Sequence, residues 1–339
     1  MRKLLLTLAI LVTPYSLASG PIDGKVYGKA NLSVVNQDFG SYDEWTLNSN
    51  ASRLGLKGKT EISDGLEIVY QAEYEICIDS GDCKGQTFKQ RNTFVGIKGG
   101  FGMVSVGKHD SPTKLAAGKV DLFNDLEGEH DSPTKLAAGK VDLFNDLEGD
   151  IKNAFEGENR LSNIIAYTSP TMNGFTTTLA MIPGEGADVD QDGQDDTGLS
   201  DGLSYSVNYT KDSIYLAIAG DQDVDKQDLL RFVAQYQIDA LKLGVMYQQN
   251  EDNLGTKDES GYFVSAAYKL DNNITLKAQY GAIEDDVDSD EEQTLSLGAD
   301  YKLAKNTKVF AFYTNNTDSA IDSNDDEFSA LGIGMEHKF

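Results

Sequence analysis

The chain of 339 residues carries 29 basic and 55 acidic side chains, a formal charge of −26, and two cysteines. So acidic a protein repels the phosphate backbone, which excludes nucleic-acid binding. Past residue 20 no apolar run approaches the ~20 residues that a bilayer-crossing helix needs, so a membrane location requires strands.

The first residues, Met1-Arg2-Lys3, precede an apolar run from Leu4 to Val12 and small residues at Ala18-Ser19-Gly20. This reads as a secretory signal peptide over residues 1–20, cleaved after Ala18 or Gly20. Losing Arg2 and Lys3 takes the charge from −26 to −28. From residue 21 to 339 the chain reads as one domain in which apolar and polar residues alternate. Leu66, Ile68, Tyr70, Ala72 and Tyr74 share one face of a strand, while Glu67, Gln71, Glu73 and Glu75 share the other. Leu331, Ile333 and Met335 continue the pattern to Phe339.

Sixteen such strands follow in order: 24–36, 51–62, 66–76, 88–98, 101–108, 160–168, 174–183, 202–211, 213–220, 229–238, 240–249, 261–270, 273–283, 293–303, 307–315 and 327–339. Tight turns such as Asp64-Gly65 and Gly99-Gly100 alternate with long acidic loops. The expected fold is all-β: a 16-stranded antiparallel transmembrane β-barrel with short periplasmic turns and long extracellular loops. An even count lets the first and last strands pair antiparallel, which removes both edges. Two strands carry apolar residues on both faces, with Phe94 opposite Val95 and Ile164 opposite Ile165. Burial against a neighbouring subunit or under an inward-folded loop accounts for this, as do misjudged boundaries.

Cys77 and Cys83 lie six residues apart in a polar segment, which favours a loop disulfide in an exported protein. Closing so short a loop stabilises by less than the ~3 kcal/mol of a 15-residue loop. A metal site is the alternative, and it lacks a nearby histidine or third cysteine. Arginine occurs at positions 2, 53, 91, 160 and 231 only. Arg53, Arg91 and Arg160 open strands that run in the same direction, so they sit at similar depth. Alternation turns Arg53 and Lys29 inward, and a guanidinium on the lipid face would cost ~2–4 kcal/mol near the midplane.

Between the fifth and sixth strands, in the region 109–159, the segment 109–128 recurs without change as 130–149. A native tandem element and a duplication during cloning predict the same text. The repeats offer two sets of carboxylates, Asp121, Asp125 and Glu127, and Asp142, Asp146 and Glu148. His109-Asp110-Ser111 holds the residue types of a catalytic triad, but sequence neighbours cannot form the spatial relay, so no enzyme is read here. Asp188, Asp190, Asp192 and Asp196 are spaced as in a calcium loop, yet Leu199 stands where the bidentate glutamate belongs. A looser bridging of divalent cations to lipopolysaccharide phosphates fits these aspartates better.

The chain resembles the general trimeric porins of Gram-negative outer membranes. The resemblance rests on Tyr27-Gly28-Lys29, Arg53-Leu54-Gly55-Leu56-Lys57-Gly58, Arg91-Asn92-Thr93-Phe94-Val95-Gly96-Ile97-Lys98, Arg160-Leu161-Ser162-Asn163 and the terminal Phe339. It covers essentially the whole chain after residue 20. It implies a homotrimer, a third loop folded into the lumen, and a basic cluster on the wall facing acidic residues on that loop. His337 departs from the apolar or aromatic residue usual two positions before the end.

Lys29, Arg53, Arg91 and Arg160 are therefore the expected basic side of a pore constriction, and the repeat carboxylates its acidic side. Opposed charges in a narrow passage with low-dielectric walls create a transverse field. The expected function is passive diffusion of small hydrophilic solutes and ions across the outer membrane, with a mild cation preference and no cofactor. Expected partners are outer-membrane lipid, lipopolysaccharide and the barrel-assembly machinery, the last through the strand ending at Phe339. A solute-specific channel and a structural or adhesive barrel are the alternatives.

Overall fold

The computed structural model describes residues 23–118, 141–186, 197–271, 273–287, 290–318 and 326–339. The expected signal peptide over residues 1–20, Asp121, Asp125, Glu127 and the aspartates at 188, 190, 192 and 196 lie outside the described residues. Seventeen strand segments form one antiparallel sheet: β1 (Asp23–Asp38), β2 (Asp43–Ser49), β3 (Arg53–Ser63), β4 (Leu66–Glu75), β5 (Lys89–Gly99), β6 (Gly102–Asp110), β7 (Arg160–Thr168), β8 (Phe175–Ile182), β9 (Gly202–Lys211), β10 (Ile214–Val224), β11 (Gln227–Ile238), β12 (Leu241–Asp252), β13 (Asp258–Lys269), β14 (Ile274–Asp285), β15 (Glu291–Ala304), β16 (Thr307–Asp318) and β17 (Asp326–Lys338). β2 and β3 both pair with β1, from β3 onward each strand pairs with the next, and β17 pairs back on β1 from Lys29↔Lys338 to Asp38↔Ser329. The ring has no free edge. Gly28 and Phe339 exchange backbone hydrogen bonds of 2.9 and 3.1 Å at the seam.

β2 and β3 are one stave, so the barrel has sixteen. The upper half of β1 pairs with β2, Leu32 opposite Ser49, and the lower half with β3, Lys29 opposite Arg53. One extra residue lies between them, and Ala51 takes φ 47°. This bulge corrects the expected strand 51–62. Trp45 and Leu47 face outward above it, and Leu54 and Leu56 below it, so the outward set changes from odd to even numbers. The alternation rule therefore breaks at Asn50-Ala51-Ser52, although the stave begins at Asp43. The loop expected over 37–50 contracts to the four residues between β1 and β2.

The exterior is a band of exposed apolar side chains, including Val95, Ile97, Leu216, Val245, Leu297 and Ile333, in a position to meet lipid. Most of the buried residues lie inside. Ile164 packs inward with Ala166 and Ala180, and Phe94 with Val69 and Met103. These two strands are apolar on both faces because small apolar clusters line the inner wall.

Candidate functional site

The segment between β6 and β7 folds into the barrel and lies along the inner wall. A short helix, α1 (Pro112–Ala116), opens it. Ser111 caps the helix by accepting the Lys114 N–H at 3.1 Å, and Pro112 stands at the first turn, where its missing N–H costs nothing. Tyr215 donates from the wall to the carbonyl of Ala116 at 2.7 Å, and Thr113 donates to Asp221 at 2.6 Å.

Two apolar anchors hold the rest. Val141, Ile151 and Phe155 pack with Ala116 against Tyr215, Val233, Met246, Phe263 and Ile283, while Phe144 packs against Val35, Phe310 and Phe312. Missing side chains on the wall make room for them. A Cβ placed on Gly261 or Gly281 would come within 2.9 or 3.0 Å of the Phe155 ring, and one on Gly298 within 2.8 Å of Phe144. Polar ties complete the docking: Gln279 accepts the Leu143 N–H at 3.0 Å, and Lys277 donates to the Leu143 carbonyl at 3.0 Å with its ammonium 4.6 Å from the Phe144 ring centroid.

Arg231 is fully buried and joins both limbs of the loop. It donates to Glu158 at 2.7 Å, the Glu156 carbonyl at 2.6 Å, the Thr113 carbonyl at 3.3 Å and Gln248 at 2.8 Å. Removing its charge would strand Glu158 in a desolvated site.

The loop leaves the β1–β6 side of the lumen open, as a cavity of about 580 Å³. Arg53, Arg91 and Arg160 all line it, with Lys57 and, on the loop, Asp146, Asp150 and Lys152. Arg91 bonds Glu73 at 2.7 Å and Glu75 at 3.4 Å, and Arg53 lies 3.8 Å from Glu73. Arg160 pairs with Asp110 at 2.9 Å and donates to Asn92 at 2.8 Å. A bulge opposite Glu73 allows the neighbours Arg91 and Asn92 both to face the lumen.

The loop carboxylates divide. Asp146 bonds Lys29 at 2.8 Å, and Glu148 accepts from Asn48 at 2.6 Å. Desolvation raises the Glu148 pKa above the ordinary carboxylate value. Asp142 is buried and accepts the Phe144 and Ile151 N–H groups at 3.0 and 3.3 Å, so it shapes the loop rather than facing solvent. The nearest acidic partners of the arginines are wall residues, Glu73, Glu75 and Asp110, and not these loop residues.

Residues 109–118 come from the first repeat and 141–149 from the second, and together they spell one unit without its second lysine, Lys119 or its counterpart Lys140. The Val141 N–H bonds the Ala117 carbonyl at 2.8 Å. In a single unit that turn bond would belong to Val120, which occupies the same repeat position. Elsewhere Cys77 and Cys83 form a disulfide with Cα atoms 5.3 Å apart, in the loop between β4 and β5.

Residues 6–321 match the profile of a family described as Gram-negative porin. The chain belongs to the Gram-negative porins. Among curated relatives, the major outer membrane protein P.IB of Neisseria lactamica is 24% identical over 309 residues, covering 83% of this chain and 81% of that protein. The outer membrane porin protein 32 of Delftia acidovorans is 33% identical over 129 residues, which is 37% of this chain and 36% of that protein's length. Among solved structures, an anion-selective porin from Comamonas acidovorans superposes with TM-score 0.74 at 20% identity, covering 94% of this chain and all of that one. An in-vitro folded OmpT of Vibrio cholerae, in its trimer form, superposes with TM-score 0.65 at 17% identity, covering 94% and 100%. The porin therefore resides in the outer membrane, and it is a pore for small hydrophilic solutes.

Alternation in the porin's sequence did not mark Arg231, Lys277, Gln279 or the luminal glycines. Arg231 sits mid-strand among apolar residues, and that placement was a usable signal: a lone arginine facing inward between Leu229 and Val233 needs a buried partner.

Proposed function

We propose that solutes pass through the cavity between the loop and the β1–β6 wall, and that its charged rim is the constriction. Lys29, Arg53, Arg91 and Arg160 form the basic side. Asp146 and Glu148 form the acidic side, with Asp142 holding the loop turn; Asp121, Asp125 and Glu127 are their repeat counterparts. What supports this reading is one observation: three arginines from separate strands line a single open cavity inside a closed barrel. Ions and polar solutes exchange hydration for these fixed charges, while apolar solutes of equal size gain nothing. The excess of acid at the loop end favours cations mildly. The pore works by diffusion, without a catalytic residue.

The family and the trimer form of the Vibrio OmpT support a homotrimer. The acidic runs of sequence between the staves suit divalent bridging to lipopolysaccharide, and the β17 segment ending at Phe339 suits recognition by the barrel-assembly machinery. Replacing Arg53, Arg91 and Arg160 together with glutamine tests the constriction. Reversal potentials across a KCl gradient should shift toward stronger cation preference, and an unchanged potential would remove these arginines from the narrow point.

A further inference from the structure

The two mouths of the barrel differ in sign. At the loop end the staves finish in carboxylates, among them Asp225, Asp228, Glu251, Asp258, Asp285 and Glu291. At the turn end of β13 to β17 the inner wall carries lysines. Tyr268 and Leu270 are 46% and 57% exposed on the outside, so Lys269 between them points inward; Tyr301 and Leu303, at 45% and 55%, do the same for Lys302.

These lysines share an open cavity of about 340 Å³ with Lys305, Lys308 and Lys338, against two carboxylates, Asp300 and Glu336. Asp300 is already held by Lys277 at 3.0 Å and Lys308 at 2.9 Å, and Glu336 by Lys338 at 3.3 Å. Five lysines therefore line the cavity beside two carboxylates, and a sixth, Lys277, holds Asp300 from deeper in the wall; the charge of Lys269 is felt by the exposed Asp271 of the β13–β14 turn, while Lys302 forms no ion pair among the described residues. Their position on the luminal face keeps them from lipid headgroups.

We propose that this turn-side mouth is a binding site for polyvalent anions of the phosphate class, opposite in sign to the acidic loop mouth. The proposal rests on the reading of the lumen as a pore. Each ammonium offers three N–H donors, and phosphate oxygens accept from several at once. A single exposed lysine gives a chloride ion little, whereas several within a Debye length of about 8 Å act together on a multiply charged ion. The wall concentrates that field in the mouth. Polyanions in the periplasm would then gather at the inner opening, while cations gather at the outer one.

Single channels in planar bilayers of neutral lipid test this whichever way round each channel inserts. Pyrophosphate is perfused into one chamber and then the other, followed by spermine in the same way. Pyrophosphate should reduce the current from one chamber only, and spermine from the opposite one. The double substitution K269Q/K302Q should raise the half-blocking pyrophosphate concentration by about tenfold or more. K211Q, at an outward-facing lysine of the same end, should match the unsubstituted protein. Pyrophosphate acting from the spermine side, acting from neither side, or blocking the double variant as it blocks the parent would overturn the site. A protein that carries no current at all would overturn the pore reading itself.

Discussion

Arg231 does at residue scale what the other three arginines do not. Arg53, Arg91 and Arg160 line the cavity, whereas Arg231 is sealed between wall and loop with every bond made to a loop group or to Gln248. Arg231→Met removes the charge and keeps the bulk, leaving the Glu158 carboxylate buried without a cation. Breaking such a pair on one side costs about 3–5 kcal/mol. The variant should show noisier open-channel current, and urea unfolding in detergent should report the lost stability. Alternation in the sequence already turned Lys29 and Arg53 inward. Strict alternation from Val95 and Ile97 would turn Arg91 outward; Arg91 and Asn92 both face the lumen because a bulge meets Glu73, and pairing between strands decides that.

The loop between β6 and β7, at the scale of an element, is held by shape more than by charge. Its Phe144 and Phe155 rings occupy space that a Cβ on Gly298, Gly281 or Gly261 would fill. Glycine in a strand ordinarily weakens it, so these glycines mark where another part of the chain approaches closely. Gly298→Val should push Phe144 off the wall, at about 1–3 kcal/mol of overpacking, and move the loop into the open cavity. Single-channel current should fall and fluctuate, and adding Phe144→Ala should restore it toward the parent value. The resemblance implied an inward-folded loop between these strands but not this docking, since the glycines and the phenylalanines lie on strands and loop far apart in the chain.

The duplication adds a second test at this scale. Removing 21 residues anywhere within the tandem segment yields the same single-unit sequence, so the docked residues and their Val141-to-Ala117 bond can be kept intact. The surplus chain is tethered at Gly118 and Val141, and Gly118 lines the cavity. Deletion should therefore raise the single-channel current. Equal currents before and after would count against occlusion by the second unit.

The whole molecule is a cylinder whose exterior suits hydrocarbon and whose interior suits water. Closure satisfies every stave's backbone groups, which matters because each unpaired group in lipid costs several kcal/mol. This level of the fold was the most legible in sequence, because lipid on one side and water on the other impose a strict period of two over long stretches such as 66–74 and 295–303. The exception was Asp43–Ser49, where a bulge reversed the phase and hid a strand. The mouths were half legible: acidic runs between strands stood out, but the lysines of the turn end are scattered over β13 to β17 and meet only when the barrel closes.

Uptake by liposomes reconstituted with the purified protein tests the aqueous pore most directly. Swelling in sugars of graded size should proceed at rates that fall steadily with molecular size. No swelling in any sugar, or swelling in one sugar alone, would contradict a general diffusion pore.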